Sequence, residues 1–236
     1  MQHVPIICGN GKSISAAVYE PATTAPHGVV VIAYGSDGLT DNLHGPWKTM
    51  ISGYAEQLAA DGFTALIPDY FAYTASSPAP APFTSPGPTW PDDIFRHRDD
   101  WQRAISDAVD HATVLAAVDP KRVGLLGFSL GGHLCLRLRA KAQVLVEFFA
   151  PEFPELGGIG PAGTLSHAQI HHGDNDVVVP LKNATLIAKI LRAEGTATKE
   201  CTYPGAGHGF ATENQADKDA RDLSRQETLA FFQANL

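Results

Sequence analysis

The chain is poor in cysteine: Cys8, Cys135 and Cys201 are the three among 236 residues. Their spacings fit no metal motif, and an odd number argues against a disulfide framework and for a reducing compartment. Basic runs are missing too. Lys and Arg number 17 against 25 Asp and Glu, a formal net charge of −8 at pH 7, so no surface is expected that would neutralise nucleic-acid phosphates or an anionic membrane. Long apolar runs are also missing. The longest, such as Gly28–Tyr34, fall far short of the about 20 residues that cross a bilayer as a helix. The opening residues, Met1-Gln2-His3-Val4-Pro5, have neither a basic nor a hydrophobic signal region, which leads to the expectation of a cytoplasmic protein. No repeat period is present, which excludes solenoids and propellers. The 22 glycines and 17 prolines follow no period and are too few for collagen or low-complexity chain. What remains, 44% hydrophobic and 8% aromatic residues, is the composition of one soluble globular domain.

Short apolar runs alternate with helical patterns. Val29–Ala33 reads as a strand buried on both faces, and Trp47–Ala60 as a helix closed by Asp61-Gly62. Phe63–Ile67 is the next strand, Asp100–Val118 a long helix with Trp101, Ile105, Ala108, Val109 and Leu115 on one face. Strands at Arg122–Gly127, Val144–Phe149, Ala168–His172 and Thr198–Tyr203 follow, interleaved with helices from Leu130, over Leu181–Ala193 and from about Asn214. Repeated β-then-α order predicts an α/β fold, a mostly parallel sheet with helices on both faces. Ligands in such sheets bind beyond the carboxyl ends of the strands. One segment breaks the pattern. Six prolines between Ser76 and Pro91 leave a loop at about 74–95, which reads either as a lid over the site or as a surface excursion.

The chemistry centres on Gly127-Phe128-Ser129-Leu130-Gly131, a G-x-S-x-G nucleophile elbow with a strand before it and a helix after it. A serine hydroxyl becomes a nucleophile when it is presented sharply and a base takes its proton. The base is expected to be His208, in the glycine-rich loop Pro204–Phe210 between the last strand and the last helix. His133 lies in the elbow helix, and His167, His171 and His172 in or beside a strand, where structural roles are expected. The acid that orients the base is Asp174 or Asp176, both in the turn that leaves the Ala168–His172 strand. Spacing alone does not separate them. The Leu130 N–H and a donor from Gly35 or Ser36, in the loop Tyr34–Gly38, are the expected oxyanion hole. Tyr34, Phe71 and Trp90 are candidate lining for an apolar substrate pocket, with Tyr73, Phe83 and Phe149 as further aromatics of the same kind.

These residues resemble those of the dienelactone hydrolase family of the α/β-hydrolase superfamily. The likeness runs through Val29–Tyr34 and its loop, Ala55–Tyr70, the elbow, the Gly173–Pro180 turn and the His208 loop. It implies a single α/β-hydrolase domain over residues 1–236 and assigns the acid to Asp176, three residues after the glycine of a Gly-x-x-Asp-x-x-x-Pro turn. Two departures stand out. The founding members carry cysteine where this chain has Ser129, and a loop glutamate where it has Gly35. Their carboxylate-binding arginines have no evident counterpart: Thr212 stands near one expected position, and Arg96 and Arg98 lie beyond the proline-rich loop. The reading is therefore a serine esterase for small or medium esters or lactones, with neither metal nor organic cofactor. No nucleic acid or membrane partner is expected, and the chain would work as a monomer or homodimer. The same triad acting on thioesters, amides or acyl acceptors, or a catalytically silent ligand-binding member, are the alternatives.

Overall fold

A computed structural model of the chain describes residues 1–38, 46–76 and 90–236, without the side chains of 46–49 and 90–92. Most of the proline-rich segment, Phe83 with it, and the side chain of Trp90 therefore lie outside the described residues.

Eight strands form one sheet: β1 (Gln2–Ile7), β2 (Ser13–Tyr19), β3 (His27–Ala33), β4 (Thr64–Pro68), β5 (Val118–Phe128), β6 (Val144–Phe148), β7 (His167–Gly173) and β8 (Ala197–Tyr203), in spatial order β1-β2-β4-β3-β5-β6-β7-β8. β1 pairs with β2, and β2 with β4, antiparallel. Every pairing from β4 through β8 is parallel. The central strands are buried along their whole length, β3 as His-Gly-Val-Val-Val-Ile-Ala and β6 as Val-Leu-Val-Glu-Phe. That is what a sheet covered on both faces requires.

Among the described residues the helices are α1 (Pro46–Ala60), α2 (Trp90–Ala112), α3 (Leu130–Arg137), α4 (Lys182–Ala193) and α5 (Gln215–Asn235). α1 touches α5, and α2 touches α3. The glycines of β5 show that these are two faces. A Cβ at Gly124 would meet Phe232 of α5 and Leu236 just past its end, whereas one at Gly127 would meet the backbone of Gly131 and Gly132 in α3. Three residues apart on a strand means opposite faces.

Three expectations from the sequence are corrected here. The long helix begins at Trp90 rather than Asp100, because Pro91 sits in the first turn, where its missing N–H costs nothing. It ends at Ala112, and Val118 already belongs to β5. That strand is longer than the apolar run because its register against β3 shifts between His27 and Val29, which lets Pro120 sit in it without breaking the ladder. The third is the antiparallel pair β1–β2 at the sheet edge, which the apolar runs did not reveal. Its inward face carries Val4, Ile6, Ile14, Ala16 and Val18.

Candidate active site

Ser129 stands where β5 turns into α3. Its backbone has φ 50 and ψ −116, outside the comfortable regions for a residue with a Cβ. The turn is held by close backbone approach. A Cβ on Gly131 would lie 2.2 Å from the Ala33 carbonyl oxygen and 2.3 Å from that of Tyr34, so α3 enters directly against the end of β3. The Ser129 N–H donates to the Phe148 carbonyl at 2.9 Å, tying the elbow to β6.

His208 arrives from across the sheet edge. Its loop packs backbone to backbone on the turn after β7, where a Cβ on Gly173 would fall 2.1 Å from the Ala206 carbonyl oxygen. From there His208 Nδ1 reaches Asp176 Oδ2 at 2.8 Å and Nε2 reaches Ser129 Oγ at 3.1 Å. A carboxylate only accepts, so Nδ1 carries the hydrogen and Nε2 is the bare nitrogen facing the hydroxyl. The other oxygen of Asp176 accepts from the Val178 and Val179 amides at 2.9 and 2.8 Å, which fixes the carboxylate plane. Phe149 packs edge-on against the imidazole, centroids 4.8 Å apart.

Asp174, the rival acid, has a different occupation. Its Oδ1 accepts from the Gly205 amide at 2.6 Å and closes the junction of the two loops. His133, His171 and His172 are engaged elsewhere. His133 Nδ1 meets the Pro151 carbonyl, and His172 Nε2 donates to the Val179 carbonyl at 2.7 Å, 3.4 Å from Asp176 Oδ2. Burial pushes His133 and His171 down to about 3 and lowers His172, so all three are neutral. His171, Cys201 and Glu227 bring metal-ligand atom types within 4.8 Å of one another. The Tyr203 hydroxyl, however, lies 2.7 Å from His171 Nδ1 and 3.1 Å from Glu227 Oε2, and closes that group with its own hydrogen bonds. Cys135 is fully buried in α3 and its thiol is pushed far up by desolvation.

Around the hydroxyl, Leu130 opens α3, so its N–H is one of the donors a helix leaves unpaired at its first turn. The Tyr34–Gly38 loop turns back beside it, with the Gly38 amide bonded to the Gly35 carbonyl at 3.0 Å. A Cβ on Gly35 would be 3.5 Å from that of Ser129. Tyr34 itself is corrected from pocket lining to core. It is wholly buried, its ring stacks on Tyr70 with centroids 4.2 Å apart, and its hydroxyl donates to Asp69. Phe71 packs with it, against Tyr34, Tyr70 and Trp101. Arg96 pairs with Asp93 on the surface, Arg98 bonds Asp99 and the Leu156 carbonyl, and Thr212 donates to Asp217.

Three buried acids near the site went unnoticed in the sequence. Asp217 of α5, wholly buried, accepts from the Gly207 amide, the Thr212 amide and the Thr212 hydroxyl at 2.6–2.8 Å, stapling both ends of the His208 loop. Its signal was the Asn214-x-x-Asp217 pattern at the helix start, where Asn214 caps the Asp217 amide. Glu147 is fully buried in β6, pushed up to about 8 by desolvation, and accepts from the Ala150 amide at 2.8 Å. Asp37 lies in the loop beside Ser129 and is pushed up to about 6, again by burial.

The profile of the "Dienelactone hydrolase family" matches residues 14–236. A protein named usf from Aquifex pyrophilus is 27% identical over 240 residues, covering 96% of each chain. Among solved structures, a thermophilic esterase of Thermogutta terrifontis with propionate bound superposes at TM-score 0.68 with 18% identity, over 97% of this chain and 93% of its own. A puromycin-hydrolyzing peptidase of Mycobacterium tuberculosis superposes at 0.71 with 18% identity over all of this chain, which spans 39% of that enzyme. Among the described residues no helix is long and apolar enough to cross a membrane.

Proposed function

The chain belongs to the dienelactone hydrolase family, of α/β-hydrolase fold, and on that premise we propose that it is a serine hydrolase that cleaves small to medium carboxylic esters or lactones through an acyl-enzyme on Ser129. The observation that carries this reading is the bridge made by His208, 3.1 Å from the Ser129 hydroxyl on one side and 2.8 Å from Asp176 on the other.

The chemistry follows from that bridge. The bare Nε2 of His208 takes the Ser129 proton as Oγ attacks the ester carbonyl. Asp176, held by two backbone amides, keeps the hydrogen on Nδ1 and stabilises the imidazolium that forms. The Leu130 N–H and an N–H from the Gly35–Ser36 stretch hold the developing oxyanion. Collapse of the tetrahedral intermediate expels the alkoxide, which takes the proton from Nε2. Water then repeats the sequence and releases the acid. The strained elbow supports a nucleophile rather than a scaffold role, because a turn held at φ 50 by three close glycines has no evident structural benefit. Serine at this position also makes a loop partner for a resting thiolate unnecessary, in keeping with Gly35 in the loop.

The test is hydrolysis of p-nitrophenyl esters of increasing acyl length by the wild type and by Ser129→Ala. Turnover by the wild type that falls to background in the variant supports the reading, and the length profile sizes the pocket. Equal rates in both proteins, or none in either, would overturn it.

A further inference from the structure

Asp37 is an unusual group to find beside a developing oxyanion. It is 4% exposed, yet it belongs to the loop that runs past the nucleophile. A Cβ at Gly35 would stand 3.0 Å from Asp37 Oδ1 and 3.5 Å from the Ser129 Cβ, so the carboxylate and the carbon that bears the nucleophilic hydroxyl both lie within 3.5 Å of one point. The absence of a side chain at Gly35 is what lets them share that space. Among the described residues the titratable groups facing Asp37 are His208, which favours the anion only when it carries a proton on both nitrogens, and Tyr70, whose own hydroxyl is pushed far up by burial and stays neutral. Arg96 and Arg98 are bonded elsewhere, and among the described residues no Lys or Arg is one of the groups that act on Asp37.

Resting on the ester-hydrolase reading, we propose that Asp37 is a charge filter: the site takes neutral and cationic esters and turns away esters that carry a negative charge near the scissile bond. The scissile carbonyl must come within reach of Ser129 Oγ, so every substrate places its neighbouring groups in the field of this carboxylate. The surroundings are water-poor, which strengthens that field. With burial holding the group near 6, the filter is off in acid and on at neutral pH. The charge acts alike on the oxyanion of every substrate, so its selective part is read in a ratio between substrates rather than in one rate.

The experiment uses three aryl acetates that differ only at the para position: a trimethylammoniomethyl, a neopentyl or a sulfonatomethyl group. None of these substituents titrates, so any pH dependence of their kcat/KM ratios belongs to the protein. For wild type, the neutral-to-anionic ratio is expected to rise about fifteenfold between pH 5 and 7.5, toward a limit of about thirtyfold set by two charges about 8 Å apart at an effective dielectric of about 20. Its inverse, the anionic-to-neutral ratio, should fall with a midpoint near pH 6, and the cationic ester should gain over the neutral one in the same window. In Asp37→Asn both ratios should be flat. A wild-type ratio that does not move between pH 5 and 7.5, or one that persists in Asp37→Asn, overturns the filter while leaving the esterase reading intact. The wild-type series decides by itself if the variant does not fold. Failure of wild type to cleave any of the three would instead remove the esterase reading, and the filter with it.

Discussion

Asp217 accepts a hydrogen bond from the Gly207 amide at 2.8 Å, and this one contact ties helix α5 to the residue that precedes His208. Its second oxygen holds Thr212 on the far side of the same loop. Arg221, one turn further along α5, donates to the carbonyls of Phe210 and Thr212. The imidazole is thus placed by a helix start rather than by its own glycine-rich loop, which by composition would be loose.

Asp217→Ala should therefore damage activity beyond its effect on folding. Three accepted hydrogen bonds are lost in a buried place, which should lower the unfolding free energy by about 3 kcal/mol. At temperatures where the variant is folded, kcat should drop about 100-fold, the usual result of displacing a reacting group by about 1 Å. Hydrogen exchange supplies the check: amides in 204–213 should exchange faster in the variant while those of β3 and β5 are unchanged.

The two aspartates of the turn after β7 should separate cleanly. Asp176→Asn removes the acceptor that fixes the His208 tautomer, so kcat should fall about 10³- to 10⁴-fold with the fold intact. Asp174→Ala removes only the acceptor for the Gly205 amide and should cost less than about tenfold. Steady-state kinetics on one good ester decides. Comparable losses in both variants would show that the turn, rather than Asp176, is what matters.

Gly131 should tolerate no side chain. A Cβ there would lie 2.2 Å from a carbonyl oxygen of the central strand β3, which cannot move aside. Gly131→Ala is expected to cost about 3 kcal/mol or more, or to prevent folding. Gly9→Ala is the control, since nothing lies within 4 Å of its Cβ position; its effect should stay within about 0.5 kcal/mol. Urea unfolding of the pair measures the difference.

Glu147 should give the protein a pH-dependent stability. Burial raises its carboxyl from 4.5 to about 8 in the folded state. The folded protein therefore keeps a proton that the unfolded chain releases between those values. The stability that Glu147 contributes is greatest below about 4.5 and declines as pH rises toward 8, by an amount on the order of a few kcal/mol. Glu147→Gln keeps the shape without the titration. The gap between variant and wild type should thus move in the variant's favour between pH 5 and pH 8, a difference that urea unfolding at the two pH values reads directly. Asp37 titrates alike in both proteins, so it drops out of the comparison.

Much of this site was legible in the sequence because its parts are local. The elbow is five consecutive residues whose glycines answer to steric demands within one turn, and His208 sits in a loop whose neighbours are a strand and a helix. Asp174 and Asp176 could not be told apart from spacing, since both leave β7 at the same edge. What distinguishes them is which oxygen meets an imidazole 32 residues away and which meets the Gly205 amide. Asp37, Glu147 and Asp217 were missed for one reason: an acidic residue in a sequence reads as solvated, and its burial is decided by packing from other elements. Tyr34 was misplaced for the converse reason. An aromatic at the carboxyl end of a strand fits a pocket wall and a core equally well until Tyr70 and Asp69 are seen to occupy its ring and hydroxyl. The edge pair β1–β2 went unseen because its inward side chains are few and small.

The central proposal is that Ser129 is the nucleophile that His208 activates, and covalent labelling tests it most directly. Wild type, Ser129→Ala and His208→Ala would be treated with a fluorophosphonate and measured by intact mass and peptide mapping. One phosphonyl group on wild type, located on Ser129, absent from Ser129→Ala and formed far more slowly in His208→Ala, is the outcome expected from the geometry. A wild type that takes no label, or one whose label sits on another residue, would contradict it.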